Sequence, residues 1–375
     1  MVTELPQHSK LDTAHLQQLF KNTSECYKLF WFKAIADKVS TGKLVLTYDE
    51  LINAMIADSW YMVNEYRLNL GPRDTLEDLV IYARTITGLK SSEKQDKIIQ
   101  AICESDDAMI KAKKDTLTKN VPYRLLAPFI GFSSEDFERP LPKVAEKING
   151  YDNVIYRFER ISGLSSIIRV DETWAKYITD NYGIITGWIN YNLIGYLQRR
   201  NPSVPGIPNK LSAPQSRILE KAKKYWHVVS EVYAMEGHPL SEIYGGVTVP
   251  EKGMSIDHFV PWSYVAHDEL WNLSPTTKSI NSSKSNNLPD WNMYFARLAQ
   301  LEYKAYDLTS SHSQVGELKG RYSECVDEHV NDLNVREKLY RPGLTEEQFI
   351  NALEDIVKPV YNAALNLGFG VWTYT

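Results

Sequence analysis

Apolar positions along the first 130 residues recur at helical spacing. Tyr27, Leu29, Phe30, Phe32, Ile35 and Val39 form one such set, and Ser24 stands where a helix cap is expected. Thr47-Tyr48-Asp49-Glu50 has the capping-box pattern, a hydroxyl and then a carboxylate three residues on, ahead of Leu51, Ile52, Met55 and Ile56. A further helix is predicted from about Ser92 through Ile98, Ile99 and Ile102. Gly71-Pro72 and Gly131-Phe132 mark turns. The pattern is mixed over 143–168, where Asn153-Val154-Ile155-Tyr156-Arg157-Phe158 predicts one short strand. Helical spacing returns over 173–199, broken or bent around Gly183 and Gly187. Three prolines in Asn201-Pro202-Ser203-Val204-Pro205-Gly206-Ile207-Pro208 fix φ and remove donors, so this stretch is a linker or an ordered loop.

A helix over about 213–235 follows. Residues 247–256 then suit a strand, Leu270-Trp271-Asn272-Leu273-Ser274 suits a second, and a helix begins at Lys278. Asp257 and His258 sit where the first strand ends. Neighbouring strand residues face opposite sides, so both reach one site only if the backbone turns there. A long helix carries Tyr294, Leu298, Leu301 and Ala305, and 309–314 reads as a polar loop. Thr345-Glu346-Glu347-Gln348 is a second capping box, opening a final helix to about Leu365. The expected fold is mainly α with an embedded ββα module. Three regions are expected: helical 1–195, a basic segment plus the module over 196–300, and C-terminal helices over 301–375 that pack on the module.

Composition narrows the classes. Apolar residues at 43% and charged residues at 24% describe an ordinary globular protein, and a net charge of −5 argues against a protein that coats nucleic acid through overall charge. Any phosphate contact must be local. Arg199, Arg200, Lys210, Arg217, Lys221, Lys223 and Lys224 crowd 199–224 against Glu220 alone. The functional reading is a phosphate-contacting segment; the ordinary one is a solvated helix face. The three cysteines form no C-x-x-C pair, so neither a structural zinc nor a disulfide framework is expected. The opening Met1-Val2-Thr3-Glu4-Leu5-Pro6 lacks the basic start and apolar core of a signal peptide, and no apolar run approaches a membrane span. A cytoplasmic protein without membrane insertion is expected. No phosphate-binding glycine loop and no G-x-S-x-G elbow is present.

The chemistry concentrates in Asp257-His258-Phe259-Val260-Pro261-Trp262-Ser263, then Asn272, then Asn281-Ser282-Ser283-Lys284-Ser285-Asn286-Asn287-Leu288-Pro289. Asp257 offers an anionic oxygen and Asn281 a neutral amide oxygen, a pair that suits Mg²⁺, with Mn²⁺ able to substitute. His258 titrates near neutrality when unperturbed and can take a proton from an attacking water. Asn272 suits a structural task, holding the loop that carries His258. Lys284, one helical turn past Asn281, suits phosphate contact or bracing of the site. Taken singly, each of these residues has an ordinary reading as a turn or surface residue, and the joint spacing singles them out. His238 and His267 read as turn and loop residues, and Trp262, Trp271 and Trp291 as hairpin core rather than base-stacking platforms.

This stretch resembles the HNH domain of single-protein RNA-guided CRISPR effector nucleases, which read D-H-[IV]-V-P-x-S, then N, then N-x-x-K-S-x-N-x-P. Phe259 is the one departure, and it stays apolar. The resemblance implies a ββα-metal nuclease in which Asp257 and Asn281 hold a divalent metal, His258 is the general base and Asn272 is structural. Tyr27-Lys28-Leu29-Phe30-Trp31-Phe32 and Leu197-Gln198-Arg199-Arg200-Asn201-Pro202 are similar to bacterial HNH-domain proteins with a helical front half, including the HNH component of certain Zorya phage-defence systems. The expected activity is cleavage of DNA, one strand per site, with RNA as the alternative substrate and defence proteins as partners. The competing class is a nucleic-acid-binding or adaptor protein whose HNH domain is structural. Residues 1–195 are left with three open roles: substrate recognition, partner binding or restraint of the nuclease.

Overall fold

The computed structural model describes residues 4–21, 23–72, 74–132, 135–213, 219–311 and 316–375, and these are mainly helical. No described helix is long and apolar enough to cross a membrane. The chain divides into two compact units, 1–202 with 207–213, and 203–206 with 214–375. The sequence reading placed boundaries at 195 and 300. The division runs instead through the basic segment, and the helices beyond 300 share one hydrophobic core with the hairpin region.

In the first unit the helix Tyr27–Ser40 buries Leu29, Phe30, Trp31, Phe32, Ile35, Ala36 and Val39. A helix apolar on so many sides must be enclosed. It packs against Tyr48–Asn64, Glu172–Asp180 and Tyr182–Arg200. Cys26, not Ser24, holds its cap position, and no side chain caps it; the Ser24 carbonyl accepts a bond from Arg200 instead. The Thr47–Glu50 capping box forms as the sequence predicts. The next predicted helix begins at Gln95 rather than Ser92. The break after Asp180 falls at Asn181, whose side chain bonds the Tyr177 carbonyl at 2.9 Å and whose backbone leaves the helical range. Gly183 and Gly187 lie inside the restarted helix.

The predicted single strand is one of three. Tyr156–Arg160 and Val45–Thr47 both pair antiparallel with a central Ile167–Val170. Asn149 anchors the edge by bonding both the N–H and the C=O of Phe158 at 2.8 Å.

The second unit begins with the helix Glu220–Met235; residues 214–218 of the predicted helix lie outside the described residues. An antiparallel pair, Ser255–His258 and Leu273–Thr276, precedes a short helix, Lys278–Lys284. The long helix Trp291–Ser311 takes in the first half of the predicted polar loop, and 312–315 lie outside the described residues. Gly316–His329, Leu333–Leu339 and Glu346–Asn366 follow, the last opened by the predicted Thr345–Gln348 capping box. Finally Val371–Trp372 pairs in parallel with Leu288–Pro289, returning the end of the unit to the residues just after the short helix.

Candidate active site

The first hairpin strand is shorter than predicted and contains Asp257 and His258 rather than ending before them. Ser255 lies opposite Thr276, Asp257 opposite Ser274 and His258 opposite Leu273. Residues 270–272, predicted to open the second strand, form a tight turn instead. Alternation therefore sets Ser255, Asp257, Ser274 and Thr276 on one face and His258 on the other. The strand ends at His258 and the chain bends at 259–260, where strand alternation no longer sets side-chain direction.

Asp257 is enclosed. Lys284 Nζ donates to its Oδ1 at 3.1 Å, and the Tyr244 hydroxyl donates to its Oδ2. Lys284 also donates to the His258 carbonyl at 2.7 Å, so one ammonium ties the carboxylate to the backbone of its neighbour. Burial pulls the Lys284 ammonium down, and Asp257 opposes that shift. Burial, and then the charge of Asp257, push the Tyr244 phenol up. Tyr244 is presented by a turn built on buried Glu242, which accepts the N–H groups of Tyr244, Gly245 and Val247 at 2.6, 2.8 and 2.8 Å. Arg297 fixes the same turn through the Tyr244 carbonyl at 2.8 Å.

Asn281 lies across the Asp257 face. Its Nδ2 donates to Ser255 Oγ at 2.8 Å and to the Ile256 carbonyl at 3.0 Å. Asn272, fully buried, accepts from Val260 N–H at 2.7 Å and donates to the Val260 carbonyl at 2.9 Å. This clamp fixes the chain two residues past His258. Asn272→Ala leaves two buried backbone groups unpaired and is expected to cost about 2–4 kcal/mol. Urea unfolding measures it, and a loss below about 1 kcal/mol would refute the clamp. Phe259 is fully buried with its ring edge-on to Trp291 and Phe295, which explains an aromatic at the motif's one departure.

His258 Nε2 lies 2.7 Å from Asp268 Oδ1. His267, read from the sequence as a loop residue, lies in that loop and tilts against Trp271 at 5.4 Å, while the acid beside it carries no signal in the sequence. Tyr244 was missed too. In sequence nothing separates Asp268 from Glu269, or Tyr244 from 22 other tyrosines.

The predicted basic set is reduced. Lys210 and Lys284 are fully buried, and burial pulls the Lys210 ammonium down to about 7. Enclosed ammonium groups do not reach phosphate, which corrects the expectation for Lys210, whereas Lys284 takes the bracing role that its spacing also allowed. Arg217 and the side chain of Lys221 lie outside the described residues. Arg199 is exposed, and Arg200 lies against the Tyr196 ring at 5.4 Å; both belong to the first unit. Lys223 and Lys224 belong to the second and face Glu220 at 3.1 Å and Glu324 at 3.6 Å.

The Asp257 face suits a hard divalent ion. Each Asp257 oxygen has a lone pair beyond the bond it accepts, and the Asn281 oxygen adds a neutral donor. Ser274 Oγ and Thr276 Oγ1, on the same face, are buried without hydrogen-bond partners, and the waters of a hydrated ion would satisfy them. Lys284 is the feature that opposes a cation there. No group of three or more His, Cys, Asp or Glu side chains suited to a metal occurs among the described residues.

A family model described as HNH endonuclease matches residues 248–290, which span the hairpin, its loop and the short helix. No curated protein and no solved structure matches the chain.

Proposed function

We propose that the hairpin and the helix Lys278–Lys284 form a ββα-metal module, and that the protein is a divalent-metal-dependent endonuclease hydrolysing DNA, one strand per site. The observation that carries this reading is the placement of Asp257, His258, Asn272 and Asn281 on one strand–turn–strand–helix unit inside the segment that matches the HNH endonuclease family. Asp257 and Asn281 would hold the ion, Mg²⁺ or Mn²⁺, which supplies stabilisation of charge on the phosphoryl oxygens. His258 takes the proton of the attacking water. Asn272 holds the backbone that carries His258, and Lys284 fixes the His258 carbonyl. Among the described residues of the basic set, Arg199 and Lys224 are the exposed side chains, and phosphate contact is assigned to them.

A role in phage defence, alongside partner proteins, rests on the resemblance of 27–32 and 197–202 alone. The fold uses these stretches as a core helix and a helix end. The second reading, a structural HNH domain in a nucleic-acid-binding protein, is favoured by one observation: Lys284 already neutralises Asp257.

Supercoiled plasmid incubated with the full chain separates these readings. Conversion to open circles with Mg²⁺ or Mn²⁺, and none in EDTA, is the expected result. DNA binding that survives EDTA, without cleavage by either ion, would replace the nuclease with the binding protein. Cleavage of RNA alone would correct the substrate.

A further inference from the structure

In the first unit, three side chains that line one groove of about 600 Å³ are not engaged by the fold. Tyr191 is 55% exposed, and its ring has no aromatic or cation partner among the described residues. Arg199 and Lys21 are exposed, and neither cation forms a side-chain hydrogen bond or ion pair among the described residues. We propose that this groove binds single-stranded DNA, with a base stacked on Tyr191 and the flanking phosphates on Arg199 and Lys21. The inference rests on the reading of the chain as a protein that acts on DNA, and extends the phosphate contact assigned there to Arg199.

The groove is built rather than incidental. Tyr191, Gly195 and Arg199 follow one another at four-residue spacing on the helix Tyr182–Arg200, so they share a face. Gly195 carries no side chain between the other two. A Cβ there would lie 3.8 Å from Arg199 Nη1, so the guanidinium lies back over the glycine, towards Tyr191. The floor is fixed, because Phe20 stacks on Trp188 at 4.6 Å and both are nearly buried. Arg200 donates to the Ser24 carbonyl and ties the chain beside Thr23, a lining residue, to the end of the same helix. Asn192 Nδ2 donates to the Trp188 carbonyl at 2.8 Å, which leaves Oδ1 as an acceptor for a base amino group. The neighbouring acids Glu25 and Asp74 act on Arg200, and no acid lines the groove among the described residues.

These features favour one occupant. A base offers its face to an exposed ring only where it is unpaired, so Tyr191 selects a single strand over a duplex. Two cations without internal partners can bind phosphates, and release their counterions, without first breaking an ion pair. They form a local positive site on a chain whose net charge is −5. An acidic peptide would satisfy the cations but offers no flat partner to the tyrosine.

The test uses the full chain in EDTA, so that cleavage does not intervene, and a fluorescent single strand of about 20 thymidines. Anisotropy at several salt concentrations gives the affinity and its salt slope. The wild type is expected to bind this strand more tightly than a duplex of the same length. Tyr191→Ala weakens single-strand binding roughly 5- to 150-fold, and Tyr191→Phe keeps it. Lys21→Ala and Arg199→Ala each lower the log–log salt slope by about 0.7. Gly195→Glu, whose Cβ has room, sets a carboxylate in the groove and weakens binding while the circular dichroism spectrum stays the same. Equal binding by the wild type and Tyr191→Ala overturns the proposal, as does tighter binding of the duplex. Tighter binding of the matching RNA strand, or of a poly-glutamate peptide, with the same losses in the variants would also overturn it. Plasmid cleavage with Mg²⁺ or Mn²⁺ is read separately. Cleavage by the wild type with unweakened binding in the variants sinks the groove alone, and the expected losses without any cleavage sink the nuclease alone.

Discussion

His258→Ala is expected to lower metal-dependent plasmid cleavage by roughly 10²- to 10⁴-fold, the range a positioned proton acceptor contributes. The substitution is clean because His258 supports its strand through backbone groups. Its carbonyl accepts from Lys284 at 2.7 Å and its backbone pairs with Leu273, and alanine keeps both. The Asp268 side chain is about one-third exposed, so water reaches it when the imidazole is removed. The folded state should therefore survive, which far-UV circular dichroism verifies beside the rate. A variant that nicks plasmid within tenfold of the wild type would remove His258 from the chemistry and leave the family match without its proposed base.

The second large effect is on stability. Lys284→Ala is expected to destabilise the protein by about 3–5 kcal/mol, the usual result of breaking a buried ion pair from one side. Both members are enclosed, with side-chain exposures of 1% for Lys284 and 4% for Asp257. Removing the ammonium leaves the Asp257 carboxylate short of its counter-charge and the His258 carbonyl short of a donor. Among the described residues, the Tyr244 hydroxyl then remains on the carboxylate. Removing both charges together, as Lys284→Met with Asp257→Asn, should cost less than the two single changes summed, because neither partner is then stranded. Urea midpoints of the four proteins complete the cycle. Additive losses would mean that the pair is not coupled and that Lys284 acts through packing alone.

Local signals in the sequence carried the helices well. Each capping box names its own bonds, so Thr47 and Thr345 mark helix starts without any knowledge of the fold. Strands fared worse. Val45–Thr47 and Ile167–Val170 are three and four residues long, too short for alternation to register, and they exist because distant segments pair. At Asn181 a side-chain bond to the preceding turn ends the helix, against a glycine rule that pointed elsewhere.

At the site the motif named the residues but not their company. Spacing on a helix places Lys284 beside Asn281, yet only tertiary contact shows that its ammonium is spent on Asp257 and the His258 carbonyl rather than offered to phosphate. The same holds for Tyr244 and Asp268. Each reaches the motif from a loop, where no periodicity fixes the direction of a side chain. The basic run misled for a related reason: charge density in sequence says nothing of burial, and Lys210 is enclosed.

Trp372 is far from the motif in sequence yet lies on it. Its indole N–H donates to Ser283 Oγ at 3.3 Å, 89 residues back, and its ring meets Tyr244 edge-on at 5.1 Å. During synthesis, then, the ribosome releases the whole of the 248–290 segment well before the tryptophan that packs on it exists. A nascent chain carries every motif residue while Tyr244, the donor to Asp257, still lacks one of its aromatic neighbours. The packing around the motif is completed only with the translation of residue 372 rather than of residue 289, a delay written into the order of the chain.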